Sequence, residues 1–158
     1  MKRVLLIVAL LTTGFLQSSF AQQAQQTLLS QLLSDYYNIK NALVDGNAAT
    51  ASLKAADFVK TINGIDYKII SEGNINILLK DAGKLSESTD LKNQRAYFSN
   101  FSNNMLAVAK AVSLSDNEIY LQYCPMKKAY WLSSEKAIKN PYYGSSMLTC
   151  GQVTETLK

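Results

Sequence analysis

Four sulfur-bearing side chains crowd one short stretch of this chain: Cys124 and Met126 near its start, Met147 and Cys150 near its end. Residues two apart in an extended segment point the same way, so Cys124 and Met126 are expected to direct both sulfurs to one side of a strand. Residues three apart share a face of a helical turn, which gives Met147 and Cys150 the same property. Each half of the stretch then offers a thiol and a thioether facing one direction, and two such pairs can converge on one ion. These donors are soft and select Cu(I), and secondarily Ag(I), over hard cations. The chain contains no histidine, and a site without imidazole or clustered carboxylates suits neither catalytic zinc nor Ca(II). The expected cargo is Cu(I), held by Cys124, Met126, Met147 and Cys150.

The same residues support a second reading. Two cysteines in an oxidising compartment form a disulfide by default, and closing the loop from Cys124 to Cys150 contributes about 3.5 kcal/mol in the chain-entropy model. Cysteines near enough to bridge are also near enough to grip a metal when reduced, so oxidation state separates the two readings and proximity does not. Met126 and Met147 also have an ordinary role, filling gaps where this segment lies against the rest of the protein. The aromatics Tyr120, Tyr123, Tyr130, Trp131, Tyr142 and Tyr143 either wall a soft-metal site from water or bind a ligand, or simply seat an irregular segment on a core. Arg95 is expected to anchor that segment by hydrogen bonds, with a plain surface arginine as the alternative.

Catalysis is not expected. Without histidine there is no Ser-His-Asp or Cys-His arrangement, and no Gly-rich phosphate loop or paired-carboxylate motif is visible. A thiol oxidoreductase usually shows Cys-x-x-Cys, whereas these cysteines are 26 positions apart. The N-terminus reads as a signal peptide over residues 1–21: basic Lys2 and Arg3, an apolar run from Val4 to Leu11, and Ser19-Phe20-Ala21 as a small-x-small cleavage site. The apolar run is broken at Thr12, Thr13 and Gly14, short of the roughly 20 residues a membrane span requires. The expected product is therefore periplasmic or secreted, soluble and without stable membrane insertion. Its formal charge of +4 falls to +2 once Lys2 and Arg3 are removed, and no basic stripe suggests nucleic acid.

The elements that must position the sulfur segment are helices. From Gln26 to Val44 apolar residues recur at Leu28, Leu32, Tyr36 and Leu43, an amphipathic spacing that stops at Asp45-Gly46-Asn47. Asn47 can cap a second helix with Ala48, Leu53, Ala56, Val59 and Ile62 as its inner face. A third, from about Asn74 to Ser86, is weakened by Gly73 and Gly83. The fourth, opened by Thr89 or Asp90, carries Leu91, Phe98, Met105 and Val112 at seven-residue intervals, with Phe101 and Val108 between them. Short connections favour antiparallel neighbours. After Ser113 the period becomes two over Ile119 to Tyr123, a strand that Pro125 ends and Ala129 to Leu132 can rejoin. The expected fold is mainly α: an antiparallel up-down four-helix bundle, residues 22–158, with a short C-terminal β-hairpin and an irregular tail.

The sulfur segment also carries a family likeness. Cys124-Pro125-Met126, Trp131-Leu132-Ser133, Asn140-Pro141-Tyr142-Tyr143-Gly144 and Met147-Leu148-Thr149-Cys150-Gly151 resemble a family of exported bacterial domains of unknown function. That domain also occurs fused to periplasmic adaptors of copper and silver efflux pumps. Tyr36-Tyr37 with Ile39 to Val44 is similar to the family's first helix, and Gln94-Arg95 with Phe98 and Ser102 to its fourth. The resemblance implies a helical bundle, a role in heavy-metal handling through the same four sulfur residues, and an efflux adaptor or other periplasmic protein as partner. The competing expectation is a disulfide-stapled helical module that binds a protein through its aromatics and has no metal role.

Overall fold

A computed structural model describes residues 2–158, with side chains from residue 22 onward. Residues 1–21, read above as a signal peptide, lie outside the residues described with side chains. Four helices, α1 (Lys2–Val44), α2 (Ala48–Ile62), α3 (Glu72–Glu87) and α4 (Leu91–Ala111), precede the strands β1 (Ile119–Cys124), β2 (Ala129–Ser133) and β3 (Gln152–Leu157). No helix among the described residues is long and apolar enough to cross a membrane.

The helix starts follow the capping chemistry. Asn47, Ser71 and Asp90 each accept a backbone N–H three residues on, from Thr50, Asn74 and Asn93, satisfying donors a helix N-terminus leaves orphaned. Cross-links show that neighbouring helices run antiparallel. Thr61 near the end of α2 donates to Asp35 of α1, Asn104 of α4 to Asp81 of α3, and Arg95 near the start of α4 to the Leu43 carbonyl at the end of α1. The chain is thus an up-down bundle. Its core is built on Leu32, Tyr36, Ile39, Leu43, Phe58, Ile62, Leu78, Leu85, Phe98, Phe101 and Met105, all fully buried, with the aromatic rings of Tyr36, Phe58, Phe98 and Phe101 in mutual contact.

Two expectations are corrected. The buried face of α2 is Ala51, Ala55, Phe58 and Ile62, while Leu53 is 67% exposed. Phe58 decides this: the stripe that buries the largest ring sets the helix rotation, and Leu53 lies off that stripe. The tail is also not irregular. A 3-10 turn, Gly144–Met147, leads into β3, which pairs antiparallel with β1, so the hairpin is a three-stranded sheet of order β2-β1-β3. The sheet packs through β2 on α4. Tyr36 stitches the layers together, sharing a hydrogen bond of 2.6 Å with Ser102 of α4 and accepting the Leu132 N–H of β2 at 3.0 Å.

Candidate functional site: a thiol pair at the end of the sheet

Cys124 closes β1, and the four residues Pro125 to Lys128 turn the chain into β2. The turn is closed by the Lys128 N–H on the Cys124 carbonyl at 2.8 Å, with Lys128 in the left-handed region at φ 55°. The strand therefore stops one residue short of Pro125, and the period-two argument that aligned Met126 with Cys124 does not hold: Met126 lies in the turn. Cys150 sits after the 3-10 turn, its N–H bonded to the Met147 carbonyl at 3.1 Å.

The two thiols meet. Cys124 Sγ lies 3.8 Å from Cys150 Sγ, both unbridged, with Cys124 buried and Cys150 half-buried. The hairpin turn also presents a backbone donor to Cys124. The Lys127 N–H points to Cys124 Sγ at 3.4 Å. The Cys150 thiol is held above its ordinary pKa, chiefly by the hydrogen bond to Cys124, then by burial and by the Cys124 charge. The Met126 N–H works in the opposite direction, as expected of a donor to the charged form.

The thioethers stand apart from the core. Met126 is 64% and Met147 41% exposed, so neither fills a gap beneath the segment. Among the described residues, no three His, Cys, Asp or Glu side chains group as ligands for a metal ion. Of the sulfurs, the structure joins the two thiols and leaves both thioethers at the surface.

The aromatics divide into two sets. Trp131 and Tyr142 are buried edge-to-face at 5.9 Å, and Tyr142 packs in turn on Phe98 of α4. They seat the segment on the bundle. Tyr123 and Tyr130 pair at 4.6 Å on the more exposed face of the sheet, and Tyr143 is half-buried. Arg95 bonds the end of α1, its Nη2 donating to the Leu43 carbonyl at 2.9 Å, and that guanidinium lies over the space a side chain at Gly144 would need. A Cβ on Gly144, at φ +56°, would collide with that guanidinium and lie 2.7 Å from the Val44 carbonyl, so only glycine fits.

Asn140 holds the segment closed, a side-chain role that no sequence pattern signals. Fully buried, it accepts the N–H groups of Tyr142 and Tyr143 through Oδ1, at 2.8 and 3.3 Å, and donates through Nδ2 to the Cys150 carbonyl at 2.7 Å. Its own N–H bonds the Leu148 carbonyl at 2.8 Å. Asparagine before Pro-Tyr-Tyr-Gly was legible as a turn, and the amide reaching ten residues forward to a cysteine was not. Gly151, which follows, lets β3 begin against the indole: a Cβ there would lie 2.8 Å from Trp131 Cη2.

No curated protein and no solved structure matches the chain. A family model described as a protein of unknown function, DUF3347, matches residues 32–117, from α1 through the end of α4 and up to the edge of β1. The thiol segment lies beyond the matched residues. Since the match spans more than half of its length, the chain belongs to the DUF3347 family of proteins of unknown function.

Proposed function

We propose that this chain is an exported, non-enzymatic soft-metal protein that holds Cu(I) through Cys124 and Cys150, with Met126 and Met147 completing the site, as a carrier or buffer serving a heavy-metal efflux system. The observation that carries the proposal is the sulfur spacing. Metal–thiolate bonds of about 2.3 Å across a 3.8 Å span subtend about 110° at the ion. That angle belongs to a trigonal or tetrahedral centre and is far from linear, so two thiolates leave room for further donors. The nearest soft donors in sequence are two exposed thioethers, on flexible side chains free to turn towards an ion.

The efflux link rests on the family resemblance, and export on the basic-apolar-small pattern of residues 1–21; an efflux adaptor is the proposed partner. A second reading is favoured by the same spacing: thiols in contact close readily to a disulfide, giving a stapled module that binds a protein partner without metal. Thiol titration of freshly purified protein, then Cu(I) competition against a chromophoric chelator, decides between them. Two free thiols and one tightly held Cu(I) per chain, lost in Cys124→Ser and Cys150→Ser and weakened about tenfold in Met147→Leu, support the copper reading. An intact disulfide and no copper uptake after reduction overturn it in favour of the stapled module.

A further inference from the structure

A cavity of about 490 Å³ opens beside the thiol turn, between the start of α4 and the Tyr142-Tyr143 corner. Leu91, Tyr142 and Tyr143 give it an apolar wall, and Lys92, Arg95 and Lys127 bring cationic groups to it, opposed by the single carboxylate of Asp90. Asp90 already accepts the Asn93 N–H at 2.7 Å, so the helix terminus is satisfied from within and the positive character comes from side chains. Neither Lys92 nor Lys127 forms an ion pair among the described residues. Arg95 spends one donor on the Leu43 carbonyl, while its Nε is buried with no acceptor in the protein. A guanidinium and two lysines without ion-pair partners, gathered around one cavity with an aromatic wall, match an organic anion: a planar oxyanion head with an apolar body.

We infer that this cavity is a binding site for a small organic carboxylate, its head on Arg95, Lys92 and Lys127 and its body against Leu91 and Tyr143. The inference is independent of the copper reading, because the site uses none of the sulfur ligands. The two places are nonetheless neighbours: the backbone N–H of Lys127 points to Cys124 Sγ at 3.4 Å, so one turn serves both.

The test is a nuclear magnetic resonance titration of the reduced, metal-free, full-length protein with 3-phenylpropionate, with the neutral 3-phenylpropanol, and with inorganic phosphate. Saturable shifts of the Arg95 Nε–H and of the amides of Leu91, Lys127 and Tyr143 are expected with the carboxylate. The alcohol should bind at least about tenfold more weakly, the loss of one charge-assisted contact. Because Arg95 also anchors the fold, the charge is tested through Lys92→Gln and Lys127→Gln, which touch no structural partner; together they should weaken the carboxylate about tenfold and leave the alcohol unchanged. No saturable shift, equal affinity for acid and alcohol, or tighter binding of phosphate than of phenylpropionate would each overturn the assignment.

Discussion

Replacing Tyr36 with phenylalanine removes one oxygen at the junction of three elements. Tyr36 of α1 is fully buried, and its hydroxyl both pairs with Ser102 of α4 and accepts the Leu132 N–H of β2. The variant leaves two buried polar groups without that partner, since Leu132 and Ser102 are themselves almost wholly inaccessible. An orphaned buried donor or acceptor costs about 1–3 kcal/mol. The serine hydroxyl can rotate towards a helix carbonyl, so the combined loss should be about 2–3 kcal/mol. In a chain of 158 residues that corresponds to a fall in Tm of roughly 5–10 °C. Tyr37 supplies the control. Its hydroxyl is buried with no hydrogen-bond partner, so Tyr37→Phe should be neutral or slightly stabilising. The assay is urea unfolding of both variants and of Ser102→Ala, with a double-mutant cycle between residues 36 and 102. If Tyr36→Phe cost less than about 0.5 kcal/mol, or no more than Tyr37→Phe, the hydroxyl would not be the tie between bundle and sheet.

Burial pushes the Lys40 amine down to about 8, with its side chain only 3% exposed. Below that pH a charged lysine is buried at a cost; between it and the ordinary lysine value the folded state binds fewer protons than the unfolded, so stability rises with pH. Lys40→Met should therefore stabilise the fold by up to about 3 kcal/mol at pH 7, an advantage that shrinks as pH climbs from 8 towards 10, measured by denaturant unfolding across that range. Cys124→Ala removes the partner that chiefly raises the Cys150 thiol; the midpoint of the pH–rate profile for Cys150 alkylation should move down, and an unmoved midpoint refutes the pairing. Asn140→Ala orphans the buried Tyr142 N–H and the Cys150 carbonyl. It should cost about 2–4 kcal/mol and slow air oxidation of the thiol pair, read by mass spectrometry. Gly144→Ala, which meets Arg95 and the Val44 carbonyl, should lose at least about 2 kcal/mol in thermal unfolding.

The bundle was legible because its signals are local and repeated. The seven-residue rhythm of Leu91, Phe98 and Met105 and the caps at Asn47 and Asp90 each point to a helix and its start without reference to anything distant, and the structure has them so. The rotation of α2 failed because Leu53 and Phe58 offer competing stripes, and only the surrounding helices choose between them. Strand β3 was missed for another reason. Gln152 to Leu157 is exposed almost throughout, so no buried face imposes alternation on its sequence. It is held instead by backbone pairing, the Thr154 hydroxyl on the Leu121 carbonyl at 3.2 Å, and the Lys110–Glu155 ion pair of 2.7 Å. At the candidate site, the meeting of the two cysteines followed from treating them as a pair, whereas the orientation of Met126 depended on where a strand ends, and a turn closed by Lys128 decided that. The reach of Asn140 across ten residues has no sequence period at all.

The clasp formed by Asn140 works like a calliper. One jaw is fixed, because Cys124 ends a strand braced on both sides by neighbours; the other rides on a loop that the Asn140 amide grips at the Cys150 carbonyl and that the Cys150 N–H ties to the Met147 carbonyl. Variation confined to that loop can thus reset the gap between the sulfurs while the helices beneath keep their packing, which makes the spacing of the pair an independently adjustable trait of this scaffold.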